Sequence, residues 1–483
     1  MKKTLLVLII TLVSFVAFGN GLLEEAALRA AEVNAAISEL NLPWKAGVPG
    51  ALNEFAVHGI TDLDSIIEKW HGEIELPERV ELKREGDFSI QATTRWGQLI
   101  SALFVYFPNW DIDIPAGSFI QIHTPIKNQA FHGTCWAFAT VAAFESALMV
   151  QKDGFGGEDA YEPWELQDDS YDFSEQFASF HDIDWDVYIE SVYDPVQSDV
   201  IIQDSNADVG GNQIFSTYNS VRYGLPLESD FPYSKFDFNP WITWNPTNNK
   251  WEDNIVKSTK TVQIYYADEL GWLGFPYEVY INAVKEALVR FGALGVSFRV
   301  PADYDFYTGG VYIPTTKTLT GGHAVTLVGW LDMAGLKAAF PDPDIIDPAA
   351  ESVTVNDPFS GLSWAATEFW VIKNSWGDWG WNGYYVVPAV SKQLYEFSAN
   401  NGYGISSWMI EYNAMYVPIF EEAYEIEDID FNEDGVVDED DFKLLIANMF
   451  TANPLFDISI PKDGWVDHED VSRFLMIWNS MID

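Results

Sequence analysis

Thr124-Pro-Ile-Lys-Asn-Gln129-Ala-Phe-His-Gly-Thr-Cys135-Trp-Ala-Phe138 decides the reading of this chain. The segment from about Asp111 to Pro125 combines turn residues with isoleucines and reads as extended chain. After Cys135 comes Trp136–Val150, apolar nearly all round, which predicts a helix buried at the centre of a body. Cys135 is the single cysteine of 483 residues, so no intramolecular disulfide can form. A thiol of pKa about 8.5 is a poor nucleophile at neutral pH until an imidazolium or a helix N-terminus stabilises the thiolate. At the start of a helix, the helix dipole favours the negative form of Cys135. Structural cysteines of exported proteins are usually paired, so a solitary one points to chemistry.

Two later stretches complete a pattern. Gly321-Gly-His323-Ala-Val-Thr-Leu-Val-Gly329 supplies a histidine, and Trp370-Val-Ile-Lys-Asn374-Ser-Trp376-Gly-Asp-Trp379-Gly-Trp-Asn-Gly383-Tyr384 supplies an asparagine followed by indoles. With the cysteine block, these resemble the papain-like cysteine peptidases, whose three blocks occur in this order, with a glutamine six residues before the cysteine. The resemblance implies an α+β fold with a two-part body, a helical half and a β-barrel-like half. It implies Cys135 as nucleophile and His323 as its ion-pair partner and later the acid for the leaving amine. Asn374 would orient the imidazole and Trp376 would shield that bond from water. The Gln129 carboxamide and the Cys135 backbone N–H would stabilise the oxyanion. No cofactor is required for catalysis.

Weaker blocks agree. Phe173-Ser-Glu-Gln176 is similar to the family's turn into its second helix. Gly210 and Gly211, followed by Tyr223-Gly224, Glu228 and Phe231-Pro-Tyr233, resemble the segment whose paired glycines bind an extended peptide substrate. His132 and Val209 stand where the family usually has disulfide cysteines. Cys135 and His323 are 188 residues apart, and His323 and Asn374 are 51 apart, both long for the family. The surplus is expected in loops at 151–206, 236–258 and 333–366. His58, His71, His123 and His181 lie outside any motif and read as structural; His132 is close enough in sequence to perturb Cys135.

Outward from the core, Lys2 and Lys3 precede an apolar run from Leu5 to Phe18, and Ala17-Phe18-Gly19 offers small residues for cleavage: a signal peptide over 1–19. Residues 20–105 read as a pro-region. It opens on an amphipathic helix, Leu22 to Leu40, ended by Asn41 and Pro43, and a second helix is expected near Asp62–Trp70. Trp44-Lys-Ala-Gly47 resembles the short inhibitory prodomains of the family; a permanent N-terminal subdomain is the alternative. The peptidase domain takes 106–420, with a helix at Tyr277–Phe291 and strands at Gly295–Arg299, His323–Trp330 and Phe369–Lys373.

The tail, 421–483, carries 18 acids and three bases and contains a repeat: DGVVDEDD at 434–441 and DGWVDHED at 463–470. Asp430, Asn432, Asp434, Val436 (through its carbonyl), Asp438 and Asp441 fall at positions 1, 3, 5, 7, 9 and 12 of a calcium loop, with Gly435 at the sharp turn. The second loop offers Asp463, Asp467 and Asp470, but Ser459 and Pro461 occupy its first ligand positions, and Asp457 is a substitute. Each loop precedes an apolar helix (Phe442–Met449 and Val471–Trp478). The pair resembles a dockerin, an EF-hand-like module without the usual entering helix, which implies structural Ca2+ and a cohesin-type protein partner.

The formal charge is −47, from 26 basic and 73 acidic residues, which excludes nucleic-acid binding by bulk electrostatics. At 48% hydrophobic and 15% aromatic residues, disorder is excluded as a description of the whole. Nothing after the leader is long and apolar enough to span a bilayer. The expectation is therefore a secreted peptidase acting on peptide or protein, extracellular, periplasmic or held at a cell surface by its tail. The rival is an inactive papain-like binding protein that docks a cohesin-type partner.

Overall fold

The computed structural model describes residues 25–48, 103–105, 114–130, 132–180, 211, 213–222, 224–233, 247, 255–264, 267–272, 275–401 and 405–420. In the tail it describes 429, 431–432, 437, 439–449, 451–453, 455–456, 458, 466, 471 and 474. The expected leader and the helix near Asp62–Trp70 lie outside these residues, as do Gly210 and most of the second calcium loop.

The chain divides into two compact units, with one boundary between Phe420 and Glu421. In the first unit, helix α1 (25–40) buries Ala26, Ala30 and Ile37 and is followed by strand β1 (Trp44–Ala46). Strands β2 (Leu103–Val105) and β3 (Phe119–Ile120) precede α2 (Cys135–Gln151), which is buried from Cys135 through Met149. That all-round burial is what its unbroken apolar sequence dictates. The single acid inside it, Glu145, needs a counter-charge and finds Lys127 at 2.9 Å. Helix α3 (Glu175–Phe180) starts where Ser174 Oγ accepts from the Phe177 N–H at 2.9 Å. Helix α4 (Gln213–Arg222) and β4 (Lys260–Ile264) follow, then α5 (Ala267–Trp272).

Helix α6 (Tyr277–Phe291) has the bounds read from the sequence; its buried Tyr280, Ile281, Val284, Ala287 and Leu288 recur at three- and four-residue steps. It ends at Gly292, whose φ of +123° requires glycine and whose missing Cβ leaves room for Ala147 of α2. Then come β5 (Leu294–Pro301), β6 (Tyr307–Gly310) and the long central strand β7 (Leu319–Asp332).

The expected insertion at 333–366 is structured: α7 (Met333–Ala339), then a hairpin of β8 (Val353–Asn356) and β9 (Ser363–Ala366). At its turn, buried Asp357 accepts from Phe359 N, Ser360 N and Oγ, Ser406 Oγ and Trp408 Nε1, pinning the insertion to the 406–408 segment. Strands β10 (Glu368–Lys373) and β11 (Tyr384–Pro388), helix α8 (Lys392–Asn401) and β12 (Met415–Ile419) complete the body.

Eight strands form the main sheet in the order β11-β10-β7-β5-β12-β4-β2, with β3 also on β7. The barrel-like half is this sheet; its described pairings run as an open path from β11 to β2. All neighbours are antiparallel except β2, which lies parallel to β4. Helix α2 packs along β7, and one continuous hydrophobic core joins the helical half, the sheet and β1. Among the described residues no helix is long and apolar enough to cross a membrane.

The second unit is built on its own small core of Ile429, Leu445, Phe456, Ile458, Val466 and Phe474. Helix α9 (Glu439–Ala447) follows the first acidic loop, and the Val466 N–H donates to Thr451 O at 2.8 Å, tying the second repeat to the first.

Candidate active site

The strand pairing places His323 on β7 and carries Asn374 in at the end of β10. His323 Nε2 lies 2.8 Å from Asn374 Oδ1. An amide oxygen only accepts, so Nε2 carries the hydrogen and Nδ1 is the nitrogen left for proton exchange. Asn374 Oδ1 also accepts from Ser375 N at 2.8 Å, and Asn374 Nδ2 donates toward Tyr304 Oη at 3.5 Å. These contacts fix which end of the amide faces the imidazole. The Trp376 ring covers that pair, 4.7 Å from the His323 ring and tilted by 32°. Trp376 is itself backed by Trp379 at 5.1 Å and Tyr304 at 5.6 Å.

Cys135 is the first residue of α2 and is fully buried, as is His323. One small cavity, lined by Lys127, Glu175 and Lys373 as well as Ala139 of α2, Ala324 of β7 and Asn374, lies where these three segments meet; Cys135 and His323 do not line it. The cysteine helix, the histidine strand and the asparagine segment thus meet at one place.

Gln129 is buried. Its Nε2 donates to His132 O at 2.8 Å, its Oε1 accepts from Ser375 Oγ at 2.6 Å, and its own N–H donates to Ser375 O at 2.8 Å. Ser375 therefore touches both the carboxamide and the imidazole-orienting amide. Tyr233 Oη reaches Gln129 O at 3.0 Å and Thr134 Oγ1 at 2.7 Å, holding the turn before Cys135. His132 offers its carbonyl to Gln129, and its ring packs edge-on against Tyr233. His123 is structural: buried between Gln121 O and Tyr384 Oη, both at 2.7 Å, it is pushed down to about 3, chiefly by burial, and stays neutral.

Gly211 lies against the Trp136 indole, where a Cβ would come within 2.3 Å of the ring. Trp136 follows Cys135, so Gly211 abuts the helix that Cys135 begins.

Sequence reasoning missed a buried ionic cluster behind the site. Lys127 Nζ meets Glu145 at 2.9 Å, Asp172 at 2.8 Å and Glu175 at 2.7 Å. Lys373, next to Asn374, donates to Thr124 Oγ1 at 3.0 Å, and Thr124 in turn donates to Glu145. Burial alone would lower Lys127, but the three carboxylates hold it well above its ordinary value. Burial lowers Lys373 to about 8 and raises Glu175. The signal was present as five charged residues scattered along the sequence, yet only the fold shows that they converge.

The expected N-terminal device is docked on the same body. β1 pairs antiparallel with β6, Trp44 against Gly310. Trp44 is buried; it meets Tyr312 edge-on at 5.2 Å and donates from Nε1 to Ile313 O at 3.0 Å. Asn34 clamps Ala46 by both backbone groups, at 2.8 and 3.0 Å.

Of the nine residues expected to bind calcium, Asn432 and Asp441 are among those described. Asp441 is fully buried and accepts from the Asn432 N–H at 3.0 Å. Asp430, Asp434, Val436, Asp438, Asp463, Asp467 and Asp470 lie outside the described residues. A buried carboxylate closing an acidic loop fits a hard cation.

A two-part α+β body with a cysteine on its central helix and a histidine–asparagine pair on its sheet defines a class of thiol enzyme. The family model for papain family cysteine protease matches residues 203–405, the part holding His323 and Asn374. The chain is similar to a cathepsin B-like protein, CP2, of Giardia intestinalis, at 34% identity over 23% of this chain and 27% of that one. It is also similar to cathepsin B-like cysteine proteinase 6 of Caenorhabditis elegans, at 24% identity over 57% of this chain and 63% of that one. The matched stretches span less than two thirds of those relatives' length. A solved digestive procathepsin L 3 of Tenebrio molitor covers 82% of this chain and 90% of its own at 14% identity, with a TM-score of 0.45. Over residues 203–405 the chain is similar to the papain family of cysteine proteases.

Proposed function

We propose that this chain is an exported proenzyme of a cysteine endopeptidase, with Cys135 as nucleophile. The observation that carries the reading is the 2.8 Å His323–Asn374 bond, buried under Trp376, on the strand that packs against the cysteine's helix. His323 Nδ1 takes the thiol proton, and the thiolate sulfur attacks the peptide carbonyl carbon. The carbonyl oxygen becomes an oxyanion, met by the Cys135 N–H and the Gln129 carboxamide. His323 then protonates the leaving amine as the thioester forms, and water hydrolyses the thioester by the reverse proton path. Asn374 keeps the ring in register through both steps.

The full burial of Cys135 and the docking of Trp44 support a closed proform, opened when the N-terminal segment is removed. The acidic tail binds Ca2+ as a structural ion, held by Asp430, Asn432, Asp434, Val436, Asp438 and Asp441, with Asp463, Asp467 and Asp470 for a second ion. It serves as a dockerin-like tether to a cohesin-type partner. The lysine-flanked apolar leader supports secretion.

The test is covalent labelling with a peptidyl epoxide after acid processing, read by mass spectrometry together with hydrolysis of a denatured protein. Labelling confined to Cys135, with turnover lost in Cys135→Ala, is expected. Turnover persisting in the purified Cys135→Ala variant would overturn the assignment; calcium-dependent partner binding with no hydrolysis by the parent would favour the inactive binding protein.

A further inference from the structure

Among the described residues the strand partner of β6 is β1, with Trp44 opposite Gly310, Lys45 opposite Gly309 and Ala46 opposite Tyr307. Backbone groups hold the pair at both ends. Val311 N donates to Pro43 O and Gly47 N to Phe306 O, both at 2.8 Å, and Thr308 Oγ1 donates to Lys45 O at 2.9 Å. Gly310 has a φ of +96°, and a Cβ there would come within 2.2 Å of Pro43 O. That glycine is what lets a second backbone approach so closely. Trp44 fits between Tyr307 and Tyr312, and Ile345 lies with it against Gly310.

These fittings belong to the body and stay on it when the N-terminal segment leaves. β6 then becomes a strand edge, and Phe306 O, Val311 N and Ile313 O, the acceptor of the Trp44 indole, lose their partners. An edge with free backbone groups is a template for another extended chain. Its position gives the edge a use. Next to Phe306, Asp305 accepts through its carbonyl from Trp379 Nε1 at 2.9 Å, and Trp379 backs the Trp376 ring over His323. A chain held on β6 in the sense of β1 is led within a few residues to the wall of the candidate site.

We propose that the processed enzyme uses this vacated edge as a strand-capture site outside the cleft, holding a protein substrate through an extended run that carries a tryptophan. The chemistry selects an indole over a plain aromatic ring, because a phenyl group leaves the Ile313 carbonyl buried and unpaired. Glycine is favoured three places after the tryptophan, where a Cβ on Gly47 would come within 2.6 Å of Thr308. A basic residue directly after the tryptophan meets Asp342, now the partner of Lys45.

The inference rests on the peptidase reading and on removal of the segment, and the experiment separates them. Acid-processed full-length protein is titrated with a peptidyl epoxide and analysed by size exclusion and mass spectrometry for residues 25–48. A segment that stays bound to titratable enzyme overturns the inference, because the edge is then never free. With the segment gone, hydrolysis of a short fluorogenic peptide is compared with that of anchored versions. The anchor is the peptide of residues 41–48, or its Trp44→Phe or Trp44→Ala form, joined at either end through Gly-Ser linkers of several lengths. The parent anchor is expected to lower KM at least tenfold at one linker length or more, the Trp44→Phe anchor less, and the Trp44→Ala anchor not at all. Free 41–48 peptide should raise the KM of the anchored substrate while leaving hydrolysis of the short peptide unchanged. Equal KM values for the parent anchor and either substituted one overturn the inference. So does free peptide that inhibits the short substrate equally, which would place it in the cleft; both outcomes leave the peptidase reading intact. A protein that neither titrates nor hydrolyses any peptide removes both proposals.

Discussion

Replacing Trp44 by alanine tests whether one side chain holds the enzyme shut. The indole is buried against Tyr312 and Tyr307, with ring centroids at 5.2 and 6.2 Å, and its N–H is spent on Ile313 O. Truncating a buried tryptophan costs about 3–5 kcal/mol, and the lost hydrogen bond is part of that figure. At about 1.4 kcal/mol per tenfold, a factor of roughly 10² to several thousand in the preference for the docked segment disappears. The neighbouring Lys45–Asp342 pair, nearly half exposed on both sides, makes a control: its loss is worth at most about 1 kcal/mol, less than tenfold. The assay is epoxide labelling of Cys135 in unprocessed protein, followed over time at neutral pH. Trp44→Ala should label at least a hundredfold faster than the parent and Lys45→Ala within severalfold. Equal labelling rates for Trp44→Ala and parent, with the body still folded by thermal melting, would refute the reasoning.

Three further outcomes are expected. Gln129→Ala should lower kcat by about 10²–10³ with KM changed severalfold at most, the usual cost of one oxyanion donor; steady-state kinetics on titrated enzyme checks it. Glu411, fully buried and bonded to Trp370 Nε1 and Val390 N, is raised by burial from 4.5 to about 7. The folded state then binds the extra proton, so this group's contribution is fully present below about pH 4.5 and is lost as pH rises through 7, about 3 kcal/mol in all. Urea unfolding of the parent should therefore weaken over that window, and Glu411→Gln should remove that part of the slope. Asp441→Asn should weaken calcium binding to the full chain at least tenfold by isothermal titration, while epoxide labelling of Cys135 is unaltered.

The candidate site was legible as residue types at short spacings, a glutamine six before the cysteine and an asparagine two before an indole, and the structure brings His323 and Asn374 together. Helix α6 was legible because one-sided burial gives it a three- and four-residue period, and α2 and the core of β7 because full burial leaves an unbroken apolar run. The Lys127–Glu145–Glu175–Lys373 cluster was not, because its members lie up to 246 residues apart and each looks like an ordinary surface charge. Ser375 was hidden for the same reason, since its contacts run to Gln129 through tertiary structure alone. The segment 333–366 folds into α7 and a hairpin that depends on Asp357 finding donors from Ser406 and Trp408, which no local pattern announces.

That five-donor carboxylate has a chemical corollary. Noncovalent ties such as those of Asp357 hold this body together, and the single sulfhydryl in the sequence is Cys135, at the start of α2. Reducing agents consequently have no intramolecular disulfide to sever, and thiol reagents have a single cysteine to meet.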